Sequence, residues 1–368
     1  WGLVVTIVLL AFLPGVASIR TDVRAIEMLN EQSMTRQAAE RIDAKFGGAT
    51  LFMIDFSFEP DPGRPNAAPI NNLEFLRFLA DKRKQVAAIP GVGDAYDYSQ
   101  AFSLINRIWH GGDPAYDRLP DSLLANRFIG GLLQNFELPF IEKLRSTDGH
   151  TALILIRTAA MPSREYLAIL ERVMEVVQKD VPPGVTVQPK TGLHNILKQD
   201  RQLVADQTVS AGFTLLAVAI LVGFVWRSWK MSAAVTFVTA LPVLAMLGLA
   251  GYTDTSINSI TMMTASVVLG LVVDDSAHLL DAASRRRRLG LTWPQSIVEA
   301  LAVKRRPIIC TSMILASVLG LFILSSFPPV RAFGWLACAA LLAALAAVLL
   351  LLPALMIFGE RASKKQGG

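Results

Sequence analysis

The sequence predicts an α-helical polytopic membrane bundle of six spans, with an α+β domain inserted between the first span and the other five. Three observations predict it. Apolar residues make up 52% of the 368 residues and the mean hydropathy is +0.44, both high for a soluble chain. The excess is uneven: residues 205–360 hold nearly all the long apolar runs, whereas residues 20–204 read as an ordinary globular sequence. The cations gather at the ends of the apolar runs, as in Arg285-Arg286-Arg287-Arg288 and Lys304-Arg305-Arg306, which is where membrane topology puts them.

A spanning helix needs about 20 apolar residues to cross a hydrocarbon core of about 30 Å. Six segments read as spans: Trp1–Ala17, Val209–Trp226, Met231–Gly251, Ile257–Val273, Ile308–Phe327 and Ala332–Phe358. The start at Trp1 reads as a first span (residues 1–19) cut from something longer. A signal peptide ending near Ala17-Ser18 fits less well, because no basic stretch precedes the apolar run. The last span is longer than required and is expected to end or bend at Pro353.

The cations also set the orientation. Arg227 and Lys230, then Arg285–Arg288 with Lys304–Arg306, then Arg361, Lys364 and Lys365 all fall on one side, while the two short loops on the other side hold only Arg331. The basic side is inward by the positive-inside rule, so residues 20–205 emerge outward, 206–359 form a five-helix bundle and 360–368 are a basic cytoplasmic tail. The net charge of +5 could suggest a nucleic-acid partner, but membrane topology explains the placement of the cations better than phosphate binding does, so none is expected. Cys310 and Cys338 both fall inside spans and read as apolar fillers; no cofactor or metal motif is present.

Between spans four and five, Thr292-Trp293-Pro294-Gln295 reads as a capped helix start, opening an amphipathic helix on the cytoplasmic surface. In the outward domain, Met34–Phe46 reads as a lead-in helix and Thr50–Glu59 as a strand. The loop Asp61-Pro62-Gly63-Arg64-Pro65 leads to a helix at Asn72–Ile89 and a second strand at Val92–Tyr98. After a helical insertion, Gln100–Phe140, the order recurs: strand Thr151–Thr158, helix Ser163–Gln178 with Ser163 as its cap, and strand Val185–Pro189. Two βαβ units predict a ferredoxin-like sandwich.

Span four carries the chemistry. Asp274, Asp275 and His278 end an apolar run with no turn signal between. A charged side chain at membrane depth costs about 2.5–3.5 kcal/mol on insertion scales, so such groups pair, face a wet cavity or stay protonated. Asp274 and His278 are four apart and share a helix face; Asp275 points elsewhere. About ten residues of helix, roughly 15 Å, separate the pair from Arg285, which leaves it inside the bilayer if the arginines mark the surface; the alternative is a pair solvated at the cytoplasmic interface. The expected proton relay is therefore Asp274, Asp275 and His278. Gly270 would allow a neighbouring helix to approach, and Thr311 and Ser312 would support the carboxylates across helices.

The run from Gly270 through Asp274-Asp275 to His278 resembles the GxxxD-bearing fourth or tenth helix of resistance-nodulation-division (RND) superfamily exporters. It is most similar to the branch with MMPL or sterol-sensing-like domains that exports hydrophobes or hopanoids. The resemblance continues through the arginine-rich connector, Thr311-Ser312, Ser325-Ser326-Phe327-Pro328-Pro329 and Leu352-Pro353-Ala354-Leu355. It implies proton-driven export of a hydrophobic or lipid-like substrate from a bacterial cytoplasmic (inner) membrane. The outward residues would act as a periplasmic porter domain, Asp274 as the GxxxD aspartate, and protons as the coupling ion in place of any cofactor. A full exporter of this kind has two such halves, so the resemblance also implies a homologous half or a homo-oligomeric partner, alongside membrane lipids. Two other classes fit less well: a sterol-sensing-like receptor that binds lipid without transport, and an intramembrane aspartyl protease. The protease needs Gly-x-Gly-Asp and a second membrane aspartate, whereas Tyr96-Asp97 and Tyr116-Asp117 lie in the outward domain. A metal site built from Asp274, Asp275 and His278 lacks a fourth ligand.

Overall fold

The computed structural model describes residues 6–8, 10–22, 24–59, 69–135, 141–190 and 192–357. The expected loop at residues 61–65, the end of the insertion and the basic tail lie outside the described residues. The chain divides into two compact units, Arg24–Leu197 on the one hand and Trp1–Val23 with Lys198–Gly368 on the other.

In the first unit, helix α1 (Met34–Phe46) precedes strand β1 (Thr50–Phe58), α2 (Leu73–Ala87) and β2 (Val92–Asp97). Helices α3 (Ser99–Trp109) and α4 (Leu123–Asn135) follow, then β3 (Thr151–Thr158), α5 (Ser163–Val177) and β4 (Val185–Pro189). The strands form one antiparallel sheet in the order β2-β3-β1-β4. Alternation builds the core. Phe52, Ile54 and Phe56 of β1 are buried, and they share one apolar cluster with Leu76 and Leu79 of α2 and Tyr166, Ile169 and Val173 of α5. Helix α1 starts at Ser33, whose hydroxyl accepts from the Arg36 N–H at 3.2 Å, and stops at Gly47, whose φ of 70° suits a residue without a Cβ. At α5 the cap falls on Pro162 and Ser163 is the first helical residue, buried, so the cap expected at Ser163 is displaced by one. Proline's fixed φ suits the extended cap position, whose ψ is 146°.

The second unit is helical. Among the described residues five helices are long and apolar enough to cross a membrane: α6 (Gly192–Trp226), α7 (Trp229–Tyr252), α8 (Ser259–Arg288), α9 (Trp293–Gly320, extended by a 3₁₀ turn to Leu324) and α10 (Pro328–Ala346, continuing to Ile357). The sixth expected span, at Trp1–Ala17, corresponds to a shorter apolar helix, Thr6–Val16, among the described residues. Its end is fastened to α7. A Cβ on Gly248 would sit 1.9 Å from the Phe12 carbonyl oxygen and one on Gly251 1.9 Å from that of Gly15, so the two backbones meet where only glycine fits. The Tyr252 hydroxyl donates to the Ala11 carbonyl at 2.8 Å and Arg20 pairs with Asp254 at 2.7 Å.

Helices α7, α8 and α10 supply most of the bundle core, including Val235, Val238, Val268, Leu269, Val272, Leu336 and Leu341. By contrast, the most apolar stretches of α6 and α9 are only 11% buried. Apolar helices with open faces are what a lipid solvent permits, since it satisfies Leu, Ile and Phe without further protein contact.

Three helices differ from the sequence expectation. The cytoplasmic-surface helix and span five are one element, α9, which runs through Pro307. Its start is the capped one expected, with the Gln295 side chain accepting from the Thr292 N–H at 3.1 Å and hydroxyl at 2.8 Å. The last span neither ends nor breaks at Pro353. It passes through a π turn at Ala347–Leu351 and returns to α geometry at Leu352, a widened turn being one way for a helix to absorb the hydrogen bond that proline removes. Helix α6 begins at Gly192, well before the apolar run at Val209, because the polar residues between them are helical too.

Candidate functional site

Helix α8 positions the ionisable groups. It begins with a capping box in which the Asn258 side chain accepts from the Thr261 N–H at 3.0 Å and Thr261 accepts from the Asn258 N–H at 2.9 Å. Asp200 of α6 accepts from both the backbone (2.9 Å) and hydroxyl (2.6 Å) of Ser259. At the other end, the Trp226 indole donates to Ser284 at 3.0 Å. The helix is thus held at both ends, and thirty residues of it run between, ending in Arg285–Arg288.

One face of α8 packs into the bundle through Val268, Val272, Ser276 and Leu279. The opposite face is open and consists of Met263, Val267, Gly270, Asp274 and His278 at helical spacing. Asp274 and His278 form an ion pair across one turn, Oδ1 to Nε2 at 3.4 Å, with side chains 69% and 59% exposed. Asp275 is turned partly inward. All three line a cleft of about 360 Å³ between α8 and α9, together with Leu271 and, from α9, Lys304, Pro307, Ile308, Thr311 and Ser312.

The structure brings Asp274, Asp275, His278, Thr311 and Ser312 into one site. It gives two of the expected supporting residues different surroundings. Among the described residues nothing lies within 4 Å of where a Gly270 side chain would be, so no described helix packs there and the residue is part of the open face. Thr311 donates to its own helix, with the carbonyls of Pro307 at 3.0 Å and Ile308 at 3.1 Å as acceptors, instead of reaching the carboxylates. Proline inside a helix disturbs the backbone bonds around it, and a threonine four residues on is placed to bond the proline's carbonyl. Among the described residues, no three His, Cys, Asp or Glu side chains are grouped to share a metal ion.

Lys304 was not expected in the site. A continuous helix through Pro307 puts residues 304, 308 and 311 on one stripe, and that spacing was the available signal. Reading Pro307 as a boundary hides it.

The described residues thus give five apolar helices with a carboxylate pair opening on an interhelical cleft, and sequence comparison gives the chain a family. The family model for MMPL proteins matches residues 97–367. The chain belongs to the MMPL family. That makes it a multi-pass membrane protein of the RND type of transport protein. The MMPL match takes in the Asp274 helix and every other span candidate, as well as more than half of the sheet-bearing unit. The chain is also similar to a membrane protein of Methanocaldococcus jannaschii, 20% identical over 343 residues that cover 91% of this chain and 84% of the archaeal one.

Proposed function

We propose that this MMPL chain is one half of a proton-motive-force-driven exporter of a hydrophobic or amphiphilic, lipid-like substrate in a bacterial cytoplasmic membrane. The observation that carries the reading is the Asp274–His278 pair on the open face of α8, beside Asp275 and above a cleft shared with α9. Carboxylates at membrane depth are costly unless they serve a pathway, and here nothing in the packed core requires them. Asp274 and Asp275 take up a proton from the outer side and release it inward; His278 orients Asp274 and shares its charge.

In this reading the first apolar segment is a sixth span and residues 20–205 form a ferredoxin-like porter domain on the outer face. Strand order β2-β3-β1-β4 with helical crossovers supports the sandwich. The cation distribution supports the orientation. The open face of α8 and the exposed lengths of α6 and α9 are where lipid and a homologous half or second copy would pack.

The test is transport by the full chain in proteoliposomes under an imposed pH gradient, with a fluorescent amphiphile as cargo. Asp274→Asn should insert and fold as the parent does and export nothing above the leak. Undiminished gradient-driven export in that variant would falsify the relay. Ligand binding by the parent without any gradient-driven movement would identify a receptor instead.

A further inference from the structure

We infer that the basic end of the α8–α9 hairpin is a binding site for the headgroup phosphate of an anionic phospholipid, with Arg288 and Lys304 as its cations. The site lies apart from the proton relay and does not depend on it, requiring only that α8 and α9 cross a membrane.

The cations of this region divide into those already engaged and those that are not. Arg285 bonds Asp281 twice, at 3.0 and 2.5 Å. Arg286 bonds Glu299 of α9 at 3.1 Å, and Arg287 lies over the Trp293 ring, 4.7 Å from its centroid. Arg288 and Lys304 have no hydrogen-bonded partner among the described residues. They converge instead on Asp281, on which both act through space. Asp281, Arg285 and Arg288 follow one another four and three residues apart, on one stripe of α8, and Lys304 comes to that stripe from α9. Three cations from two helices thus surround one carboxylate that Arg285 already satisfies, so the charges of Arg288 and Lys304 are left uncompensated.

What the cluster can recognise follows from where it sits. It stands at the end of α8 and on α9, two helices apolar enough to cross a membrane. From it α9 continues with exposed apolar side chains, Val303, Ile309 and Ile314 among them. Basic pockets between membrane helices hold anionic headgroups, and here a lipid would add acyl-chain contact along α9 to the charge attraction, which a soluble anion could not. Lys304 is half-buried and lines the interhelical cleft, whereas Arg288 is exposed. The phosphate is therefore met by a point charge at the seam and a guanidinium fork at its rim. Arg305 and Arg306 lie about a quarter-turn and a half-turn from Lys304 around α9, so they do not share its direction.

Mass spectrometry of the intact, detergent-solubilised chain tests this, with phosphatidylglycerol or phosphatidylcholine added to the micelles. One phosphatidylglycerol should be retained about 25-fold more tightly than phosphatidylcholine, since each surface cation contributes roughly a fivefold factor. Arg288→Gln and Lys304→Gln should each weaken retention about fivefold, whereas Arg306→Gln, on the other side of α9, should leave it within about twofold. Asp281→Asn should tighten it, a gain that a misfolded variant cannot imitate. Equal retention of the two lipids overturns the site, and so does an equal loss in all three cation variants, which would mean diffuse charge only. Displacement of the lipid by millimolar inorganic phosphate reassigns the cluster to a soluble anion and likewise overturns it.

Discussion

Two aspartates in this molecule sit near apolar surroundings and are treated in opposite ways. Asp97, at the end of β2, is fully buried and surrounded by donors: the Ser99 hydroxyl at 2.8 and 2.9 Å and the Gln100 N–H at 3.1 Å. Arg83 stands 3.7 Å away, close enough for charge attraction but too far for a hydrogen bond. Burial still outweighs these partners and holds the Asp97 carboxyl above its ordinary range. Asp274 pairs with His278 at 3.4 Å and has an open cleft beside it. The carboxylate held on several sides belongs to the architecture, whereas the one held by His278 borders open space. The difference is in the surroundings, since the residue type is the same.

The comparison can be broken most decisively at Asp274. Replacing it with Asn should reduce gradient-driven export about 100-fold or more, on the scale of losing a proton-transferring group. Its thermal unfolding should stay within about 0.5 kcal/mol of the parent, as for other substitutions outside a packed core. At Asp97 the pattern should invert. Asp97→Ala leaves Arg83 without its ion partner and two donors without an acceptor, and chemical denaturation should show a loss of about 3–5 kcal/mol.

A pH series sharpens the contrast. Because burial raises the Asp97 carboxyl, the folded state binds that proton more tightly than the unfolded chain does. Its contribution to stability is then complete at pH values below the unfolded carboxyl's range and is lost as pH rises through the raised folded value. Asp97→Asn, which cannot ionise, should flatten this part of the stability–pH curve, and an unchanged slope would show that Asp97 is not its source. Gly248→Ala should cost about 1–3 kcal/mol by overpacking, read as a lower melting temperature in detergent, because the added Cβ meets the Phe12 backbone. The smallest effect is expected at Thr311→Val: its hydroxyl already serves its own helix, so export should be unchanged and stability should move by no more than about 0.5 kcal/mol. A large export defect there would return Thr311 to the carboxylates.

Much of this was legible in the sequence, because the two solvents leave different periodicities. Strands such as Thr151–Thr158 carry β-branched and apolar residues bounded by turn formers, and Met34–Phe46 has a serine before it and glycine after it; each signal is local and complete. The spans announce themselves by length alone. The Asp274–His278 pairing follows from spacing on a helix of known pitch. What was hidden lies where local chemistry is ambiguous. Proline ends some helices and is absorbed in others, and only packing decides, so Pro307 concealed the stripe that leads to Lys304, and the turn at Ala347–Leu351 could not be foreseen from Pro353. The polar start of α6 carries no hydropathy signal, although the helix includes it. The empty surroundings of Gly270 depend on which helices this chain provides, which no run of residues states.

One contact constrains how the bundle can move. Where Phe12 and Gly15 rest on Gly248 and Gly251 there are no side chains between the backbones to change rotamer, so the two segments can separate but have almost no freedom to slip past one another. The initial helix and α7 are therefore locked together at this crossing by backbone contact, the kind of join that a single added methyl group would force apart.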